Sequence, residues 1–317
     1  MADCLSLDFV LSFCKDMIPG HGEDCFCRCF SDTAGLLAVF DGCGGAGSRK
    51  HELYTDHSEA FMASRLCAGA FYDYFQSGTV DSASDTQIRQ GLETAALQRL
   101  RTYAPASSEG GFRIKGSLSR TLPCTAAAAF VRRSERGTFL VSVLWAGDSR
   151  VYLWNSDGLA QLTTDHTSVP DAFETLYDDG ILNNIFCSDR DVALHLHTIE
   201  LQAPFLLFTA TDGCFNYIPS PMEFEAFLLS TLLQAENVAQ WKTGLLDVLD
   251  QIASDDHAMC LASFGYDTFS ALHKAAEKRY QFLDQKYLPM LRETPPEMRS
   301  DRRKYWQLYQ KDYLRYM

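Results

Sequence analysis

Four acidic sites in this 317-residue chain stand where an apolar run ends: the pair Glu23 and Asp24, Asp41 in a DGCGG turn, Asp212 in TATDG, and Asp256 in SDDHA. An Asp followed by Gly after a strand is a turn in most proteins, because Gly accepts positive φ and Asp caps the backbone. No one of these sites identifies a function. Taken together they would set hard oxygen ligands at the ends of neighbouring strands, the environment that Mg²⁺ or Mn²⁺ prefers over the His and Cys shell of zinc. Two such ions bridged by one carboxylate lower the pKa of a shared water and neutralise a phosphate, which supplies a nucleophile without any nucleophilic side chain. The sequence has no G-x-S-x-G elbow and no GxxxxGK[ST] phosphate loop to compete with this chemistry.

Short β-like runs at 36–40, 125–131, 139–146, 151–154, 205–210 and 258–264 are the elements that must position these carboxylates. Cys25, Cys27 and Cys29 alternate along a further strand and share one face, as core packing or as metal ligands; packing is the better expectation. Helical periodicity appears at 57–76, 86–103, 222–233 and 238–253. Helices arriving in pairs between groups of strands fit an α+β fold, a four-layer α-β-β-α sandwich of two antiparallel sheets flanked by helices. The stretches 105–123 and 165–191 read as long loops, a length that is often functional.

Composition narrows the classes. The formal charge of −13 opposes nucleic-acid binding, since phosphate backbones are held by Lys and Arg. No apolar run approaches the roughly 18 residues of a membrane helix. The N-terminus carries Asp3 and Asp8 and no basic region, so the expectation is a cytoplasmic protein without a secretory signal. Eleven cysteines without a CxxC pair support neither a disulfide framework nor a zinc knuckle. The charge is uneven: residues 267–317 carry +4 and the preceding residues −17.

The order ED, DGCGG, CTAAAA, AGDSR, LTTDH, TDG and DDH resembles the type 2C metal-dependent Ser/Thr protein phosphatases, as a bacterial-like member, over about residues 23–264. Its most specific stretch is WAGDSRVYLWNSDGLAQLTTDHT. The resemblance implies hydrolysis of phosphoserine and phosphothreonine on proteins at a dinuclear Mg²⁺ or Mn²⁺ site, with a third ion at lower occupancy. Asp41 would bridge the two metals, the Gly42 carbonyl would ligate one, and Asp212 and Asp256 would bind the other. Glu23 and Asp24 would complete the second metal's shell, directly or through water, and Asp148 would join Asp212 around the third ion. Asp41, Asp212 and Asp256 thereby form the expected catalytic set. Arg150 would pair with a nearby carboxylate, and Ser149 would fix the turn. A phosphorylated protein is the implied substrate and a cognate Ser/Thr kinase the implied opposing partner, with no role for nucleic acid or membrane.

The sequence departs from that pattern at several points. The family places a phosphate-clamping Arg four residues before Glu23, where this chain has Pro19; Lys15 and His21 are the candidate replacements, and neither offers the bidentate fork of Arg. Cys43 occupies a position usually held by His or Met, either as a spectator or as an oxidisable thiol. His257 follows Asp256 where Asn is usual; it would make a supporting hydrogen bond or relay a proton to the leaving oxygen. The stretch 168–191, a flap over the site in relatives, lacks their wording. These departures keep open an alternative, an inactive pseudophosphatase that binds phosphoproteins. A phosphatase for small phosphate esters is a third reading.

The resemblance ends near residue 264, which divides the chain into a phosphatase-like domain at 1–265 and a helical extension at 266–317. Two helices, 269–287 and 298–316, are predicted either side of Pro295 and Pro296. Tyr305, Tyr309 and Tyr313 form a stripe at four-residue spacing beside Arg302, Arg303, Lys304 and Lys311. It would dock on the acidic body of the chain or on a protein partner.

Overall fold

The computed structural model describes residues 5–51, 54–81, 83–104, 120–134, 136–178 and 180–317. The predicted loop at 105–123 lies outside them except for residues 120–123. The strands are β1 (Leu7–Lys15), β2 (Cys25–Phe30), β3 (Ala34–Phe40), β4 (Lys50–His51), β5 (Tyr54–Ser58), β6 (Ala126–Arg133), β7 (Phe139–Ala146), β8 (Arg150–Asn155), β9 (Gly158–Gln161), β10 (His195–Leu201), β11 (Phe205–Ala210) and β12 (His257–Phe264). The helices are α1 (Gly44–Gly47), α2 (Glu59–Gln76), α3 (Asp85–Tyr103), α4 (Pro221–Gln234), α5 (Val238–Ile252), α6 (Phe269–Lys286), α7 (Leu288–Glu293) and α8 (Arg299–Tyr313).

Two five-stranded antiparallel sheets, ordered β1-β12-β11-β8-β9 and β10-β7-β6-β3-β2, stack face to face. Strand periodicity explains three buried layers. Leu37, Val39, Ala127, Ala129 and Val143 of one sheet meet Val151, Leu153, Leu207 and Cys260 of the other. The alternate residues Leu36, Ala38, Phe40 and Phe130 face α2 and α3 through Cys67, Phe71, Ile88 and Leu92. On the opposite side Tyr152, Trp154, Phe208 and Leu261 face α4 to α8. The four-layer α-β-β-α sandwich is therefore the fold, and burial on both faces makes its inner strands continuous apolar runs instead of alternating ones.

Helix starts follow local chemistry. Ser58, Ser84, Ser220, Asn237 and Thr268 each cap a helix by accepting a backbone N–H, Ser84 with Gln87 as a full capping box, and Pro221 opens α4. Cys27 and Cys29 are buried in the layer under α2, and no metal-holding group of three or more His, Cys, Asp or Glu occurs among the described residues. Five strands were not among those predicted, the short pair β4 and β5 among them. β9 has only four residues, β10 is an edge strand with a single fully buried residue, Leu201, and β1 is an edge strand in the apolar N-terminal stretch. No helix among the described residues is long and apolar enough to cross a membrane.

Residues 269–317 form α6, α7 and α8. Trp306, Tyr309 and Tyr313 are fully buried in the same apolar cluster as Tyr152 and Trp154, whereas Tyr305 is only partly covered.

Candidate active site

Sheet register brings the acidic sites together. Cys25 pairs with Phe40, Ala126 with Ala146, and Ala210 with both Arg150 and Met259. The loops bearing Glu23 and Asp24, Asp41, Asp148, Asp212, and Asp255 and Asp256 consequently emerge at one end of the sandwich. They line a cleft of about 360 Å³. Every residue expected as a metal ligand is on its wall: Glu23, Asp24, Asp41, Gly42, Asp148, Asp212 and Asp256. Asp255 is there too, a residue the sequence reading passed over in favour of its neighbour although the DD pair was visible.

The turn after β3 is fixed on both sides. Thr125 donates its N–H to the Asp41 carbonyl (2.8 Å), Gly42 to Glu23 (3.3 Å), and Cys43 to Pro123 (3.1 Å). A Cβ on Gly42 would stand 2.4 Å from the Ala60 carbonyl oxygen, and one on Gly213 would stand 2.0 Å from that of Asp256. Both glycines of the DG turns are thus required by close approach of backbone to the cleft wall.

With no counter-charge, burial pushes the cleft acids up. Asp24, buried and accepting a hydrogen bond from the Thr211 hydroxyl (2.6 Å), is pushed up to about 8 by desolvation, with Asp256 and Asp255 adding to the rise. Desolvation first, and then Asp212, Asp24 and Asp148, hold Asp41 well above the carboxylate range. Asp212 is raised likewise by burial, Asp148 and Asp255. Burial also raises Glu23, opposed by the Ser58 hydroxyl that donates to its Oε1. Cys43 is pushed up by burial and by the surrounding carboxylates, so its thiol is protonated here.

Asp256 is engaged differently from its neighbours: Oδ1 accepts the Met17 N–H and Oδ2 the Glu23 N–H, each at 2.7 Å. It organises the loop between β1 and β2. Lys15 and His21, the candidate phosphate cations, do not line the cleft. Lys15 sits 3.3 Å from Asp250 on α5, and His21 is an exposed residue whose ring centroid is 5.9 Å from that of His57. His257 is buried, with Nε2 3.5 Å from Asp250 and its ring edge-on to Phe13, outside the cleft lining. No Lys, Arg or His lines the cleft among the described residues. Arg65 is close behind Glu23, but its Nη1 donates to the Glu23 carbonyl (3.1 Å) and its guanidinium covers the Phe61 ring.

This donor set fits hard divalent cations, for seven carboxylates with no side-chain cation need a positive charge from elsewhere. Several of their oxygens are taken by protein donors, and no trio is already drawn around one point. The fit lies in the number and type of donors.

Behind the cleft, Arg150 grips Asp165: Nε lies 3.0 Å from Oδ1 and Nη2 2.6 Å from Oδ2, with both residues buried. Ser149 bonds Thr125 across the turn at 2.6 Å. The segment after Asp165 is pinned as well. His166 accepts the Gly147 N–H at Nδ1 (3.1 Å), Asn183 donates to the His166 carbonyl (2.9 Å), Phe186 exchanges both backbone bonds with Cys124, and Leu182 reaches the cleft.

No protein-family model matches the sequence, and no curated protein matches it. Solved structures do match the fold, and those it is similar to are bacterial Ser/Thr phosphatases, one of them of the PPM type. The serine/threonine phosphatase Stp1 from Staphylococcus aureus is 18% identical with a TM-score of 0.58, covering 83% of this chain and 97% of that one. PstP/Ppp from Mycobacterium tuberculosis gives 17%, 0.55, 81% and 98%. PppA, a regulatory component of the type VI secretion system in Pseudomonas aeruginosa, gives 18%, 0.53, 82% and 99%.

Proposed function

We propose that this chain is a type 2C metal-dependent phosphatase that hydrolyses phosphoserine and phosphothreonine on proteins. One observation carries the reading: seven carboxylates from five loops converge on one cleft that, among the described residues, no side-chain cation lines. Asp41, which feels Asp212, Asp24 and Asp148 around it, would bridge two Mg²⁺ or Mn²⁺ ions. The Gly42 carbonyl would ligate one ion and Asp212 with Asp256 the other, with Glu23 and Asp24 completing the second ion's shell and Asp255 at hand on the same wall. Asp148, beside Asp212, is the candidate for a third ion. When bound, such ions supply a water nucleophile at neutral pH and neutralise phosphate charge. The protein's own contribution is to hold the acids apart: Thr211 orients Asp24, Ser58 orients Glu23, and Asn216 donates to Asp212 (3.2 Å).

The test is hydrolysis of p-nitrophenyl phosphate and of a phosphothreonine peptide by metal-free protein supplied with Mn²⁺, beside Asp41→Ala and Asp212→Ala. Metal-dependent turnover lost in both variants supports the reading. The lack of a lining cation among the described residues and the diversion of Lys15 to Asp250 favour one alternative, a pseudophosphatase that binds phosphoproteins. Folded protein that binds Mn²⁺ and a phosphopeptide without turnover would decide for it. A cytoplasmic location and an opposing Ser/Thr kinase belong to the same proposal.

A further inference from the structure

Where the resemblance calls for a phosphate-clamping Arg, this chain presents Met17, Ile18 and Pro19. Met17 is 45% exposed and Ile18 66%. The loop is not slack. Asp256 holds the Met17 N–H, Asp16 accepts the Gly20 N–H at 2.9 Å, and the Ile18 carbonyl accepts the His21 N–H at 2.9 Å. A tight turn tied to the cleft wall therefore projects two apolar side chains into solvent. An isolated antiparallel pairing of Thr167 with Leu182 does the same for Ile181, and Leu182 lines the cleft. Ile181 is 66% exposed, its N–H donating to the Ser168 hydroxyl (3.0 Å) and its carbonyl accepting the Ser168 N–H (3.1 Å).

Single exposed hydrophobic residues are ordinary on any surface. Two isoleucines on separately anchored segments, each tied to or next to a residue of the same cleft wall, are a different case, because each is held in place with its apolar face uncovered. Among the described residues the cleft offers a substrate phosphate no side-chain cation, and hence no clamp to contribute ground-state affinity. Affinity for a phosphorylated segment must come from its flanking residues as well as from metal.

We propose that Met17 with Ile18, and Ile181, form an apolar rim that selects phosphoserine or phosphothreonine segments flanked by large apolar residues. The proposal rests on the phosphatase reading for its ligand, a phosphorylated polypeptide. Covering an exposed isoleucine with a flanking side chain corresponds to a preference of about tenfold in affinity.

Two phosphothreonine peptides of one length, with Leu or with Ser on both sides of the phosphoresidue, test this. Their binding is measured by fluorescence anisotropy, and their turnover relative to that of p-nitrophenyl phosphate, for the natural chain and for Ile18→Ser with Ile181→Ser. The expected result is roughly tenfold tighter binding of the Leu-flanked peptide, falling below about threefold in the double variant. Equal affinities, or a preference that survives both substitutions, overturn the rim. Metal-dependent hydrolysis of p-nitrophenyl phosphate with equal peptide affinities sinks the rim and leaves the phosphatase standing. The binding preference without any hydrolysis sinks the enzyme and leaves the rim as a phosphopeptide reader.

Discussion

Carboxylates crowded at the closed end of a sandwich cannot all be charged in the absence of cations. Asp24 is held up to about 8 and Asp41 and Asp212 are raised as well, so the metal-free cleft retains protons that the unfolded chain releases near pH 4. Between those values the native state binds more protons than the unfolded one. Stability of the metal-free protein must therefore fall as pH rises from about 4 to 8. We expect its melting temperature to drop by roughly 3 °C or more from pH 5.5 to 8, with Mn²⁺ reversing the loss. Cation binding should also expel protons, seen in calorimetry as a binding heat that depends on the buffer's ionisation enthalpy. A buffer-independent heat would contradict the raised acids. Asp255 and Asp256 separate at the same scale. Removing Asp256 strips two backbone N–H groups of their acceptor, so Asp256→Ala should cost about 2 kcal/mol in urea denaturation of metal-free protein. Asp255→Ala should weaken Mn²⁺ binding while changing that protein's stability by less than Asp256→Ala does, because it relieves repulsion on Asp41 and Asp212 and strips only the Asp256 N–H of its acceptor (2.8 Å). The spacing of acids after apolar runs made the cleft legible in the sequence. Which member of an adjacent Asp pair ties down the loop between β1 and β2 was not, since that depends on a contact 239 residues away in the chain. Nor could spacing show that Lys15 is diverted by Asp250.

The hairpin of β8 and β9 carries the clearest element-scale dependence. It returns the chain so that Arg150, just after Asp148, meets Asp165, while Gln161 also donates to Asp165 (3.2 Å) and Thr175 accepts from Arg150 (2.9 Å). Arg150→Met leaves a buried carboxylate without its counter-ion and should cost about 3–5 kcal/mol in urea denaturation, whereas Arg150→Met with Asp165→Leu should recover most of that loss. Full additivity of the two substitutions would show that the pair does not act as a unit. The stretches GDSR and LTTDH were recognisable in sequence, yet their mutual contact follows only from the turn and register between them. Inner strands such as β7 and β11 were legible to the residue because both faces are apolar. β10 was missed because an edge strand has little core to declare in its side chains.

At the scale of the whole molecule, the C-terminal helices are joined to the body by one buried acid and by a contact to the segment that follows Asp165. Glu225 on α4, fully buried, accepts from Trp154 Nε1 (3.1 Å), the Leu159 N–H (3.0 Å), Arg279 Nε and Nη2 (2.9 Å each) and the Tyr309 hydroxyl (2.7 Å). Farther along, Trp306 donates to Asp171 (3.3 Å) and stacks near Phe173, Arg299 and Arg303 pair with Glu174, and Tyr313 packs on Tyr152, whose hydroxyl receives Arg150 Nη1 at 3.3 Å. The basic tail thus neutralises the acidic body at specific points. These contacts separate two effects that truncation would mix. Arg279→Met removes the counter-ion of Glu225 far from the cleft, so it should lower stability by about 3 kcal/mol with Mn²⁺ affinity unchanged in folded protein. Trp306→Ala empties a site against Phe173 and frees Asp171, next to the segment that reaches the cleft through Leu182. It should cost about 3 kcal/mol as well, and should in addition weaken binding of a phosphopeptide. Comparable stability losses with peptide binding altered in Trp306→Ala alone would show that the extension positions the mouth of the cleft. Identical behaviour of the two variants would reduce it to a cover for the core.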